Sequence, residues 1–210
     1  LIAPTSATLV GKWGSRATLL AGQSFLGLSF VAMLFLWGEG TPYVVVAIPL
    51  VLMGIGVGLA QTPSSNSLTS SVPIRRVGMA SGTADLQRDF GGALMTSLFG
   101  ALLSAGYASA MGTAISTSGQ NVTTATQNAL QMSFAGASNI AKNNPEFADR
   151  IVAAARSSFL AGDKLAYIAG FVAVIVGAAL VFFAFPHREG EQRLHTRYRT
   201  EDQSTGAGAS

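Results

Sequence analysis

The chain has 210 residues, enough for one soluble domain or two small ones, so its composition has to decide its class. Lys, Arg, Asp and Glu make up 11% of the residues, where a soluble globular domain has about 25%. Residues 17–38, 43–74 and 165–186 carry no charge, and each stretch is long enough for a helix to cross a bilayer, which takes about 20 residues. A soluble enzyme and a nucleic-acid-binding protein are therefore excluded as main interpretations, and basic loops explain the net charge of +3 better than nucleic acid does.

Residue types that form most metal sites and many enzyme active sites are scarce in this chain. It has no Cys, and its two His residues, His187 and His195, both follow the last apolar stretch. Metal sites built on thiolates or histidines, and catalysis by His, therefore cannot be assembled around the apolar segments. We expect no enzymatic activity, no metal and no cofactor.

The chain opens with Leu1, Ile2, Ala3 and Pro4, without an initiator Met, a basic leader or a small-residue cleavage site. This opening does not resemble a signal peptide. We expect the chain to be the C-terminal part of a longer membrane protein, in which residues 1–10 are the end of a preceding helix and residues 11–16 a short basic turn.

Four apolar segments follow in chain order, and we predict a transmembrane helix for each. The predicted spans cover residues 17–37, 43–70, 79–108 and 164–185. The end of the second segment, residues 61–71, is uncharged but polar. A soluble protein would make it a loop, whereas here we interpret it as the last turns of a helix that face protein or water.

Residues 109–162 form a connection rich in Ser, Thr, Asn and Ala, too long to be a bare loop. Asn144, Pro145 and Glu146 indicate a helix start, and the apolar residues after them recur at helical spacing, which predicts a short amphipathic helix. Residues 187–210 are predicted to be a disordered tail. Because basic residues concentrate in the short turns and the tail, these are predicted to be cytoplasmic and the long connection external.

The third predicted span contains three ionisable residues, Asp85, Arg88 and Asp89. Spacings of three and four place them on one helix face, which Gly92 and Thr96 continue. An unpaired charge inside a membrane costs about 2.5–3.5 kcal/mol, so we expect Arg88 to pair with at least one acid. The surplus carboxylate makes Asp85 and Asp89 proton-coupling candidates, with Arg88 as their partner. The alternative is a neutralised ion pair that fixes this helix against a neighbour.

The second span carries a polar stripe at helical spacing, formed by Gln61, Ser65, Asn66 and Thr69. These residues, with Thr96 of the third span, are candidates for a substrate or water pathway. The alternative is that they hydrogen-bond between helices. The glycines that recur in the second and third spans are interpreted as points of close helix packing. They are Gly54, Gly56, Gly58, Gly78, Gly82, Gly91 and Gly92.

Several motifs resemble the major facilitator superfamily. The run from Ala3 to Arg16, followed by Leu19-Leu20-Ala21-Gly22, resembles the cytoplasmic turn of the second half of these transporters. Other motifs are similar to the last third of the fourteen-span drug:proton antiporters: Gly54-x-Gly56-x-Gly58-Leu59, Val72-Pro73, Gly78-x-Ala80-Ser81-Gly82 and Arg88-x-x-Gly91-Gly92-Ala93. The first turn has Ala7 and Gly11 where the family often has Gly and Asp, so an acid gate is not expected there.

The resemblance implies an all-α integral membrane protein, the C-terminal part of a major-facilitator-type bundle with four transmembrane helices and the end of a fifth. It implies a proton-coupled exporter of drugs or other amphiphilic or cationic compounds in the cell membrane. Its partners would be the proton, the substrate, the bilayer and the remainder of the transporter, without nucleic acid. Two alternatives stay open: a lipid or siderophore exporter of the same fold, and a non-transporting membrane scaffold.

Overall fold

The structure is a computed structural model that describes Val10, residues 14–70, Val72 and residues 76–184. Every regular element in this described part is helical. Six α-helices follow one another: α1 (Ser15–Leu36), α2 (Tyr43–Ser70), α3 (Val77–Thr117), α4 (Thr124–Met132), α5 (Phe134–Asn143) and α6 (Ala148–Ala184). A single 3₁₀ turn, Pro145–Phe147, lies between α5 and α6.

Four of these helices, α1, α2, α3 and α6, are long and apolar enough to cross a membrane. The all-α membrane class predicted from the sequence is thereby confirmed for the described residues. The predicted end of a preceding helix lies outside them except for Val10, which is helical, and so does the predicted tail at residues 187–210.

Helix α2 ends where its span is predicted to end, whereas α3 and α6 are longer than their predicted spans. Helix α2 continues to Ser70, so the polar stretch after residue 60 is helical up to that point. Helix α3 has 41 residues and continues to Thr117, nine residues beyond the predicted end of its span. The amphipathic helix predicted after Asn144 is not separate from the last span, because α6 is continuous over 37 residues. No Pro interrupts residues 148–184, and the Ala-rich sequence favours an unbroken helix.

The chain divides into two compact units, and the first comprises residues 1–29, 47–93 and 171–210. In its described part, α1 and α2 approach at Gly22 and Gly56: a Cβ added to Gly22 would lie 2.9 Å from the Gly56 carbonyl oxygen. At Gly27, α1 contacts Phe171 and Val174 of α6. Close backbone approach at glycine is the usual way in which membrane helices associate.

Polar contacts supplement these glycine contacts in the first unit. The buried Ser29 hydroxyl donates a 2.8 Å hydrogen bond to the Pro49 carbonyl oxygen, which links α1 to α2. The Arg16 guanidinium donates to the Phe182 carbonyl oxygen and lies 4.7 Å from the centroid of the Phe182 ring. This cation over an aromatic face joins the start of α1 to the end of α6.

The second unit comprises residues 30–46 and 94–170. Phe30 of α1 packs edge-on against Phe99 of α3, with ring centroids 6.4 Å apart. The backbones of α3 and α6 touch at Gly106 and Gly162, where a Cβ on Gly106 would lie 2.7 Å from the Gly162 Cα. The residues of this contact are small because no side chain fits between the two backbones.

The end of α3, the short helices α4 and α5, and the start of α6 form a small helical cap in this unit. Its buried core consists of apolar residues from α3, α4, α5 and α6, namely Tyr107, Met111, Leu130, Ala137 and Ala155. The Tyr107 hydroxyl donates to the Leu130 carbonyl oxygen over 3.0 Å. Ser133 ends α4 and also caps α5, because its hydroxyl accepts a hydrogen bond from the Gly136 amide. One residue between two helices therefore sets their sharp turn.

The glycine contact between α3 and α6 predicts the effect of adding a single methyl group. A Cβ on Gly162 would lie 2.5 Å from the Leu103 carbonyl oxygen and 3.1 Å from the Tyr107 amide nitrogen, and backbone atoms cannot give way cheaply. We expect Gly162→Ala to destabilise the protein by about 1–3 kcal/mol, as overpacking does. The measurement is the thermal unfolding midpoint of the purified intact transporter.

Gly100→Ala is the matched control, since Gly100 lies on α3 and its added methyl group meets no atom within 4 Å. Its midpoint should equal or exceed that of the unmodified protein, because Ala favours a helix over Gly. Equal midpoints for Gly162→Ala and Gly100→Ala would contradict the contact.

Candidate functional site

The charge cluster predicted from the sequence lies on the first half of α3. Arg88 and Asp85 are one helical turn apart, and Arg88 Nη1 lies 3.4 Å from Asp85 Oδ1. The two side chains are 53% and 65% exposed, respectively. The spacing thus produces the expected pairing, but the contact is long and open to its surroundings, so it contributes little stability by itself.

Asp89 lies one turn beyond Asp85 on the same helix face and is exposed. Among the described residues, its carboxylate has no basic partner within 4 Å. One Arg and two acids therefore leave one carboxylate over, as the sequence indicates.

The opposite face of α3 is apolar. Phe90 is 69% exposed, and at about 100° per residue it lies about 140° around the helix from Asp85 and about 100° from Asp89. A helix with one apolar and one charged face directs the first toward lipid and the second toward protein or water. The functional role of the face that carries Asp85 and Asp89 stays a prediction.

The burial that the sequence predicts for this cluster is not provided by the described residues. All three charged side chains are exposed, and a Cβ added at Gly78, Gly82, Gly91 or Gly92 would meet no atom within 4 Å. The expectation that these four glycines pack closely is therefore wrong within the described part of the chain. Close contacts form elsewhere, at glycines that face a neighbouring backbone: Gly22, Gly56, Gly106 and Gly162.

The polar stripe on α2 is only partly described. Gln61 is exposed and lies within the helix, whereas the side chains of Ser65, Asn66 and Thr69 lie outside the described residues. Thr96 of α3 is exposed as well. The pathway role of these five residues stays a prediction.

Two buried polar atoms have no hydrogen-bond partner among the described residues: the side-chain oxygen of Gln23 in α1 and the indole nitrogen of Trp37. The sequence analysis did not single out Gln23. Gln23 is the only amide side chain in residues 17–38, which was a signal that could have singled it out. It faces α6, since its Nε2 lies 3.4 Å from the position of a Cβ on Gly177.

Trp37 lies in the second unit, beside a cavity with other polar side chains. Its ring packs edge-on against Tyr167, with centroids 5.6 Å apart, beside a cavity of about 280 Å³ that Asp163 and Lys164 also line. Aromatic rings with a polar tip at the end of apolar helices are typical of a membrane interface. Within the described residues, no three of His, Asp and Glu gather as they would around a metal ion.

Half of the chain, 105 residues, is 34% identical to the multidrug resistance protein Stp of Mycobacterium tuberculosis, and the match covers 19% of that protein. The chain is a relative of multidrug transporters. A second relative is the multidrug efflux pump LfrA of Mycolicibacterium smegmatis, with 25% identity over 203 residues, 88% of this chain and 39% of the pump. A third is the riboflavin transporter RibZ of Clostridioides difficile, with 31% identity over 47% of this chain and 22% of that transporter.

These relatives confirm the resemblance to transporters that the motifs indicate. The chain spans between about a fifth and two fifths of the lengths of these relatives. It matches no protein-family model, and no solved structure matches it.

The two faces of α3 can be distinguished with single Cys residues, because this chain contains no Cys. We expect a water-soluble maleimide to label Gly92→Cys, on the charged face, about tenfold faster than Phe90→Cys, on the apolar face. The reason is that the reactive thiolate forms in water and not in lipid. The measurement is the labelling rate in membranes that hold the intact transporter with any other Cys replaced.

Labelling after denaturation in detergent is the control, and it should be equal at both positions. Equal rates in the folded protein would show that the charged face is no more hydrated than the apolar one.

Proposed function

We propose that the chain is the C-terminal part of a proton-coupled major-facilitator transporter that exports drugs or other amphiphilic or cationic compounds. The observation that carries this proposal is the exposed charge cluster on α3 of a chain related to multidrug transporters. The helices supply the scaffold, and the relatives supply the class of protein. Alternating access needs two bundles that rock about a central site, so this chain contributes one part of the machinery.

The proposed coupling acts through Asp85, Arg88 and Asp89. If the membrane begins near Gly78, a rise of 1.5 Å per residue would put Asp85 about 10 Å and Asp89 about 16 Å deep, in the cytoplasmic half and approaching the middle. A proton from outside neutralises one of the acids. The protonated acid no longer attracts Arg88, which pairs with the other acid or with a neighbouring helix.

This change in pairing would shift the equilibrium between inward-open and outward-open states, because the charged face meets different neighbours in each. The remainder of the transporter would supply these neighbours, because all three charged side chains are exposed in the described part of this chain.

The class of substrate and the orientation of the chain in the membrane belong to the same proposal. Two relatives are named for multidrug resistance or efflux and one for riboflavin, so similarity of this degree does not fix the substrate. The distribution of basic residues supports a multi-pass protein of the cell membrane with a cytoplasmic C-terminus.

Neutralising each acid separately in the intact transporter tests the coupling. We expect Asp85→Asn or Asp89→Asn, or both, to abolish efflux of a cationic dye driven by a proton gradient, because the amide cannot take up a proton. Glu39→Gln is the matched control, since Glu39 is an exposed acid in the turn between α1 and α2 and should leave efflux unchanged. Normal gradient-driven efflux in both Asn variants would overturn the mechanism.

Removing the cation should be more damaging than removing either acid. Arg88→Ala leaves two carboxylates without their partner inside the membrane, so we expect both a lower yield of folded transporter and loss of efflux. Arg88→Lys keeps the charge and should recover the yield. Normal expression and activity of Arg88→Ala would show that the cluster is not buried in the whole protein. Efflux that persists after the proton gradient collapses would favour a different energy source, and absence of any transport would favour a scaffold.

A further inference from the structure

A cavity of about 500 Å³ opens within the helical cap of the second unit, away from the charge cluster. Its walls come from the end of α3, the loop before α4, α4 itself, α5 and the start of α6. The volume falls in the range of about 300–1,000 Å³ that small-molecule sites occupy. None of the predicted transport residues lines it.

The inner wall of this cap cavity is apolar. Met111 and Leu130 are buried, and Ile115, Ile140 and Ile151 are half-buried around the same space. Apolar walls of this kind hold an alkyl or aryl group by removing it from water, at about 25 cal/mol per Å². The cavity therefore fits an apolar body.

The outer rim of the cap cavity is polar and carries a single charge. Its exposed lining residues include Ser118, Asn121 and Asn144, and the only charged residue of the lining is Arg150. In the described part of the chain, Arg150 has no acidic partner within 4 Å. The neighbouring acids Glu146 and Asp149 do not line the cavity. The guanidinium is thus available to a ligand.

The start of α4 adds to this positive character. Thr123 caps the helix and lines the cavity together with Thr126, so the N-terminal end of α4 faces the same space. The N-terminal end of a helix attracts negative charge, as Arg150 does. Both features complement an anion.

We propose that the cap cavity binds a single-chain amphiphile with an anionic head group, such as an alkyl carboxylate. The alkyl chain occupies the space between Met111, Ile115 and Ile151, and the carboxylate accepts hydrogen bonds from Arg150. The ligand differs in charge from the cationic compounds of the proposed function, and the site does not depend on proton coupling.

Binding of dodecanoate to the intact transporter in nanodiscs of zwitterionic lipid tests this site, with empty nanodiscs subtracted. We expect saturable binding of one dodecanoate per chain, and binding of dodecyltrimethylammonium at least about tenfold weaker, because the head group must pair with a cation. Equal affinity for the two amphiphiles, or dodecanoate uptake that matches empty nanodiscs, would overturn the proposal.

Two variants locate the binding. Arg150→Gln should weaken dodecanoate binding about tenfold, and Ile115→Trp should abolish it by filling the cavity. Arg156→Gln is the matched control, because Arg156 is an exposed cation of the same helix outside the cavity lining. The affinity of this variant for dodecanoate should stay within about twofold of that of the unmodified protein. Unchanged affinity in Arg150→Gln would contradict the site, and this exposed substitution keeps the test decisive even if Ile115→Trp fails to fold.

A photoactivatable dodecanoate gives a readout independent of affinity. We expect its label on peptides from residues 111–154. Labelling confined to the apolar faces of α1 and α2 would show lipid-like partition and not a site.

Discussion

The high cost of charge in hydrocarbon is the constraint that organises this chain. The predicted spans of α1 and α2 contain no charged residue, and that of α6 has only Lys164, at its start. The span in α3 alone holds Asp85, Arg88 and Asp89 well inside its length. Each unpaired charge costs about 2.5–3.5 kcal/mol at such a depth. A cluster of three charges therefore needs partners that lower this cost, or a function that explains why the charges are kept. The proposed proton coupling supplies the function, and Arg88 pairs with Asp85, although this exposed contact contributes little stability by itself.

Because lipid is as apolar as the side chains it meets, membrane helices associate by close packing and hydrogen bonds and not by the hydrophobic effect. The contacts at Gly22 and Gly56, and at Gly106 and Gly162, are of this kind, and Ser29 adds a hydrogen bond to the α2 backbone. In the first half of α3, a Cβ added to Gly78, Gly82 or Gly91 would meet no atom within 4 Å in the described residues. In our proposal, the charged face of this half is turned toward the remainder of a transporter.

The lengths of the apolar stretches, three of them uncharged, predicted four membrane helices, because a bilayer sets a minimum length that few other structures share. They could not predict where α3 ends and α6 begins, since helix continuity outside the membrane depends on local propensity and on packing in the cap. Nor could glycine spacing distinguish Gly56, which touches Gly22, from Gly54, which meets no atom within 4 Å. The cap cavity was invisible to sequence analysis because residues from α3, α4, α5 and α6 meet there only after folding. The pairing of Arg88 with Asp85 was predictable because it depends on one helical turn.

The central proposal is that protonation of Asp85 or Asp89 shifts the equilibrium between inward-open and outward-open states, so that substrate binding and proton binding are linked. Proton release on substrate binding tests it most directly, measured with a pH indicator in weakly buffered detergent solution of the purified intact transporter. The account predicts that binding of a cationic substrate releases protons and that the release disappears when Asp85 and Asp89 are both replaced by Asn. Substrate binding without proton release in the unmodified transporter, or equal release in the double variant, would contradict it.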